Sequence, residues 1–269
     1  MPLTKIQSEL LVLLSGQRNP ESYVAGGIAL AQHTSRLSTD IDIFHDREER
    51  VAEAALGDGE ILRGAGYLVE WKRTQPLIYT ALVTGAAGKT RLEWVADSDF
   101  RFFPVVRDEV FGYTLHPVDL ATNKVMAAAG RRELRDIVDL VTIDANILPL
   151  GAVIWAAVEK APGFTPEGLI AEIRRNSNYP REVWEELPVA EPLDPVAISS
   201  RLRAALGAAE IFVAKMPTGL VGSLFLQDGK VVQPDPDRLQ NYEQHRGVRR
   251  GHWPGSSEVL SAMLESYRK

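Results

Sequence analysis

The sequence predicts an α/β (α+β) fold, with a small mixed sheet in the amino-terminal half and a mainly helical carboxyl-terminal half. Three observations carry this expectation. Residues 23–44 pass from an apolar strand through the glycine pair Gly26-Gly27 into a second strand that alternates acid and isoleucine. Residues 77–95 hold two alternating runs around the turn Gly85-Ala86-Ala87-Gly88. After Pro149 the pattern turns helical, with joints at Pro162, Pro166, Pro180, Pro188, Pro192 and Pro195. The expected division is a core over 1–145 and a helical domain over 146–269.

The elements follow in order. Ile6, Leu10, Leu13 and Leu14 recur at helical spacing over residues 4–17, with Thr4 as a cap. Tyr23 to Ala25 begins the sheet. In a strand, successive side chains face opposite ways, so Asp40 and Asp42 share one face and Ile41 and Ile43 the other. A one-residue slip would bury both acids, which fixes the register. Residues 46–62, rich in Ala, Glu and Arg, read as a surface helix ending near Gly64 or Gly66. Tyr67 to Trp71 is a short strand. Leu77–Thr84 and Lys89–Val95 form a hairpin, in which Glu93 faces away from Leu92 and Trp94. The Gly88-Lys89-Thr90 triplet resembles part of a phosphate-binding loop. It joins two strands, however, where such a loop opens a helix, so it is turn chemistry.

Residues 119–142 form a second constellation. Asp119 is expected to cap a helix that runs to Ala129, Gly130 breaks it, and a second helix carries Arg135, Asp136 and Asp139. Asp136 and Asp139 lie three apart and so share a helix face. Trp155, Trp184 and the apolar positions of 198–212 read as packing. A hairpin is expected over 222–232 with Asp228-Gly229 at its turn. The tail carries His245, Arg246, Arg249, Arg250, His252 and Trp253. It reads either as an RNA-touching patch or as a solvated edge that balances the acidic body.

Composition bounds the function. Of 269 residues, 45% are hydrophobic and 25% charged, which is ordinary for a globular protein. The absence of cysteine excludes disulfides and thiolate chemistry. The formal charge of -6 argues against a surface that coats nucleic acid broadly. No apolar run is long enough to span a bilayer, and the amino terminus lacks a basic start and a small-residue cleavage site. A cytoplasmic location without membrane contact is therefore the expectation.

Two carboxylates on one strand face beside a glycine turn suit a divalent cation and phosphate together. Mg2+ takes one or two carboxylates plus phosphate oxygens, and Mn2+ can replace it. The glycines admit a close backbone approach, and the helix after them would offer its positive end. Glu93 is the candidate third acid, with Asp97 and Asp99 as rivals. Lys124 supplies a compact charge for a triphosphate, and Arg135 a bidentate phosphate donor.

The stretch Gly26-Gly27-Ile28-Ala29-Leu30-Ala31, then Arg36-Leu37-Ser38-Thr39-Asp40-Ile41-Asp42-Ile43-Phe44, resembles the AbiEii/AbiGii-type toxins of the nucleotidyltransferase superfamily. The block Asp119-Leu120, Lys124, Ala127, Arg131, Arg132, Arg135-Asp136, Asp139-Leu140 resembles the same family, in the same order. The resemblance implies a nucleotidyltransferase core. It implies that Asp40, Asp42 and Glu93 bind metal, that Gly26, Gly27, Arg36, Ser38 and Arg135 bind the nucleotide, and that Lys124, partnered by Asp136, serves the leaving pyrophosphate. Glu at 93, where relatives often carry Asp, departs from the pattern. The resemblance further implies a nucleoside triphosphate substrate, an RNA or tRNA acceptor and an antitoxin partner. Two other readings stay open: a metal-dependent sugar transferase using Asp40 and Asp42, and a binding module that has lost turnover.

Overall fold

The computed structural model describes residues 3–30, 33–34, 36–97, 100–160 and 163–249. Two compact units emerge, the first holding 3–97 and 104–116, the second 100–103 and 117–249. The division falls at His116/Pro117, earlier than composition suggests, because the two helices after Pro117 pack among the carboxyl-terminal helices.

The first unit runs α1 (Lys5–Leu14), β1 (Ser22–Ala25), α2 (Gly26–Ala29), β2 (Asp40–His45), α3 (Glu48–Gly64), β3 (Leu68–Gln75), β4 (Ile78–Gly85) and β5 (Gly88–Ala96). The short strand β6 (Phe100–Arg101) belongs to the second unit, and β7 (Val106–Asp108) and β8 (Gly112–Thr114) return to the first. Seven strands form one mixed sheet in the order β3-β4-β5-β2-β1-β8-β7. The pair β2–β5 is parallel, and β1–β2 and β4–β5 are antiparallel. Ile41, Ile43, Leu92 and Trp94 are buried on one face, where Ile6, Leu10 and Leu14 of α1 and Val51 and Leu62 of α3 complete the core. That apolar layer leaves the alternate residues of β2 and β5 for the opposite face.

Local chemistry explains the edges of these elements. Thr4 and Gln7 form a reciprocal capping box at the start of α1. β3 extends to Gln75, four residues past the expected Trp71, because its partner β4 offers a full ladder with one bulge between Trp71 and Arg73. The helix expected after the glycine pair is only the single turn Gly26–Ala29, which includes the pair itself. Its macrodipole is correspondingly weak, since few peptide dipoles align, so the expected positive helix end is slight.

The second unit holds α4 (Pro117–Gly130), α5 (Leu134–Asn146), α6 (Leu150–Ala157), α7 (Pro166–Asn176), α8 (Arg181–Glu185) and α9 (Pro195–Lys215), then β9 (Ser223–Gln227), β10 (Lys230–Val232), β11 (Glu243–Arg246) and β12 (Val248–Arg249). Strands β10-β9-β11 form a small antiparallel sheet, and β12 pairs with β6. The β9–β10 turn at Asp228-Gly229 has positive φ at both residues, 51° and 73°, as a two-residue hairpin loop demands. Trp155 is buried and donates Nε1–H to the Leu220 carbonyl, whereas Trp184 is half-exposed and lines an open groove beside α9.

Two expectations are corrected. Asp119 does not cap α4, because the helix already begins at Pro117, whose fixed φ suits the first helical position. Its buried carboxylate instead accepts the backbone N–H groups of Phe102 (2.9 Å) and Phe103 (2.8 Å), and Lys160 Nζ donates to it at 3.1 Å. His245 is not an outward tail residue. It is buried, stacked on Phe103 at 4.5 Å, with Nε2 2.7 Å from the Phe102 carbonyl oxygen. Arg246 stays exposed and donates to the Gly219 carbonyl. Asp99, Arg250, His252 and Trp253, and the side chain of Arg249, lie outside the described residues.

Candidate active site

In the first unit the parallel β2–β5 register sets Asp40 opposite Arg91 and Asp42 opposite Glu93. Residues paired across parallel strands share a face, so Asp40, Asp42, Arg91 and Glu93 form a block of three acids and one base. Glu93 is thereby placed beside Asp42, and Thr80 on β4 donates to Glu93 Oε2 at 3.3 Å. Arg91 Nη2 donates to Asp40 Oδ2 at 2.7 Å. Desolvation works against the Arg91 charge, but the hydrogen bond to Asp40 and the fields of Asp40, Glu93 and Asp42 outweigh it and hold its pKa above the ordinary value. Asp97 lies just past the end of β5, its backbone N–H bonded to the His45 carbonyl.

Gly26 packs directly on Asp42 of this block. Gly26 has φ 67°, a left-handed conformation that favours glycine, and a Cβ there would overlap the Asp42 carboxylate. A Cβ on Gly27 would lie 2.6 Å from Arg36 Nη2 and 3.2 Å from Ser38 Oγ. Gly26, Gly27, Arg36, Ser38 and Asp42 are therefore brought together. Arg36 is buried and donates Nη1–H to the Leu37 carbonyl at 3.1 Å, and Ser38 donates to the Asp40 carbonyl at 3.0 Å. From outside the motif, Gln7 donates to the Ser38 carbonyl at 2.7 Å and Thr90 to the Thr39 carbonyl at 3.1 Å. These anchors fix the loop that presents Asp40.

An all-oxygen donor set of this kind fits Mg2+, which takes only one or two protein carboxylates and fills its shell from water and phosphate. Among the described residues, no group of three or more His, Asp or Glu side chains is gathered closely enough to hold a metal alone. A cation on Asp40 and Asp42 would draw its other oxygens from beyond the chain.

In the second unit, Lys124 is only 6% exposed. Its Nζ lies 2.7 Å from Asp139 Oδ2 and 3.9 Å from Asp136 Oδ1. Asp139, rather than the expected Asp136, is thus its near partner. Arg131 claims Asp136 instead, with Nε and Nη2 at 2.7 and 3.1 Å from its two oxygens. Both carboxylates are fully buried, so two cations neutralise two acids within one network between α4 and α5. Arg135 stands apart, about a third exposed, with Nε 3.8 Å from Glu133. Arg132 lies over the Tyr179 ring at 5.3 Å.

Sequence reasoning missed Arg91, Gln7 and Thr90. Arg91 carried one signal, since it shares a strand face with Glu93. Gln7 and Thr90 carried none, because only the tertiary fold brings them to the loop.

No family model matches the chain, and no curated protein matches it in sequence. Solved structures do resemble it. MenT4, a nucleotidyltransferase toxin from Mycobacterium tuberculosis H37Rv, is similar at TM-score 0.54 with 16% identity, over 80% of this chain and 83% of that one. JHP933 from Helicobacter pylori follows at TM-score 0.49 with 15% identity, over 79% and 92%. The likeness to MenT4 shows that this chain has a nucleotidyltransferase fold.

Proposed function

We propose that this protein is a Mg2+-dependent nucleotidyltransferase. It moves a nucleotidyl group from a nucleoside triphosphate to an acceptor hydroxyl and releases pyrophosphate. The observation that carries this reading is the packing of Gly26 directly on Asp42, on a sheet face that also holds Asp40 and Glu93. The shared nucleotidyltransferase fold supports it.

Asp40 and Asp42 are the residues that would hold the metal, which supplies charge neutralisation of the phosphates and a lowered pKa for the attacking hydroxyl. Gly26 and Gly27, without side chains, let a phosphate oxygen come within hydrogen-bonding distance of the backbone N–H groups. Arg36, buried against Gly27, keeps a fixed positive charge beneath that turn. Ser38 holds the loop through its bond to the Asp40 carbonyl. Glu93, bonded to Thr80 and beside Asp42, adds negative potential to the cation position. To the Lys124–Asp139 and Arg131–Asp136 pairs we give a holding role within the second unit, because their charges are already matched.

For the acceptor we propose an RNA end, tRNA included, and for the biological role the toxin of a toxin–antitoxin or defence pair. Both come from the motif resemblance. The test is incubation with each labelled triphosphate, Mg2+ and total RNA. Label is expected on RNA, with pyrophosphate released, and is expected to fall to background in Asp40→Asn and Asp42→Asn. Growth arrest on expression should vanish in the same variants. Full transfer by Asp40→Asn would overturn the reading. Transfer from a nucleotide sugar without pyrophosphate would replace it with a sugar transferase.

A further inference from the structure

Three carboxylates set on one face of two neighbouring strands repel one another even without converging on one point, and a positive charge nearby offsets that repulsion. The first unit supplies one from within. Arg91 is two residues before Glu93 on β5, directly across from Asp40 in the parallel ladder, and its Nη2 is 2.7 Å from Asp40 Oδ2. Asp42 and Glu93 both act on the same guanidinium electrostatically. The Asp40 side chain is 13% exposed, so little of its carboxylate remains open once the guanidinium is in place. The Arg91 side chain is 48% exposed, so it can swing into water without breaking the core.

We propose that Arg91 is the built-in counter-ion of the acidic face: it holds Asp40 while no divalent cation is bound and releases it when one arrives. The inference rests on the reading that Asp40 and Asp42 hold the cation, and it adds a residue that sets how readily they do so. A guanidinium and a divalent ion on the same carboxylate repel each other. Arg91 and metal therefore compete, and the affinity of the nucleotide-free protein for metal is set by the difference. The guanidinium is half open to solvent while Asp40 is largely covered, so the bond breaks from the Arg91 side and the competition is reversible. Arg91 is a positioning residue in this scheme. Its charge lowers the cost of placing the acids on one face in the metal-free chain.

The experiment is Mn2+ titration of the full-length, nucleotide-free protein by calorimetry or electron paramagnetic resonance. It compares the wild type with Arg91→Gln, Arg91→Lys and Asp40→Asn. Arg91→Gln is expected to bind Mn2+ about three- to tenfold tighter than wild type, the scale of one partly exposed ion pair plus the removed repulsion. Arg91→Lys, which keeps the charge, should stay close to wild type. Asp40→Asn should bind much more weakly. Unchanged or weaker binding in Arg91→Gln, together with weakened binding in Asp40→Asn, overturns the counter-ion and leaves the metal site standing. Unchanged binding in Asp40→Asn overturns the metal site itself. A second readout on the wild type needs no folded variant: modification of Arg91 by phenylglyoxal, followed by peptide mass spectrometry. Saturating Mn2+ should speed modification of Arg91, and an unchanged or slower rate overturns the proposal.

Discussion

His45, the last residue of β2, shows how one side chain can set a pH response. It is 1% exposed, its Nε2 has no hydrogen-bond partner among the described residues, and it lines a polar cavity of about 330 Å3 with Arg18, Arg50 and Asp58. Burial, then the nearby charges of Arg18 and Arg50, push its pKa down to about 3. The unfolded chain takes up this proton near the ordinary histidine value, so between that pH and about 3 the unfolded state binds more protons than the folded one. Stability from this residue is complete above the unfolded pKa and is lost as pH falls through that window, by at most about 1.4 kcal/mol per pH unit. Chemical denaturation at pH 7 and pH 5.5 should therefore show a smaller drop for His45→Gln than for wild type. Equal drops would mean that His45 charges in the folded protein. The residue gave no sign of this in sequence. Alternation places it on the Ile41 and Ile43 face, but Arg18 and Arg50 come from other elements.

At the scale of elements, the D-x-D strand was legible because period-two alternation needs only local sequence. Asp40 and Asp42 stand on the face opposite Ile41 and Ile43, as that alternation requires. Which residue faces them across the ladder was not legible, because a parallel neighbour is chosen by topology. Glu93 and Arg91 owe their places to the β2–β5 pairing. The helix pair shows the same limit. Three-residue spacing puts Asp136 and Asp139 on one face of α5, but the rotation of that helix against α4 decides which one meets Lys124. The Lys124–Asp139 pair is also testable as a joint. Lys124→Met leaves Asp139 buried without its cation and is expected to destabilise the protein by about 3 kcal/mol. Adding Asp139→Leu should recover much of that loss, as measured by urea unfolding. Full stability in the single variant would show that the pair holds nothing.

For the molecule as a whole, the fold class was readable from the change of pattern along the chain, and the sheet and the helical carboxyl-terminal half are both present. The partition was harder to read, since α4 and α5 look like a continuation of the core until their packing partners are known. The second unit also takes a short piece from within the first unit's run of sequence. Phe102 and Phe103 are fully buried there, held by Asp119 and His245, while β6 pairs with β12. A fragment starting at residue 117 lacks those partners and should melt at a lower temperature than one starting at residue 100, by circular dichroism. Equal melting points would show that the piece is dispensable. The consequence reaches beyond stability. No single crossover between genes separates the units cleanly: a break at 116/117 strands residues 100–103, and a break just before residue 100 carries off residues 104–116 of the first unit. Exchange that keeps both units intact needs more than one break.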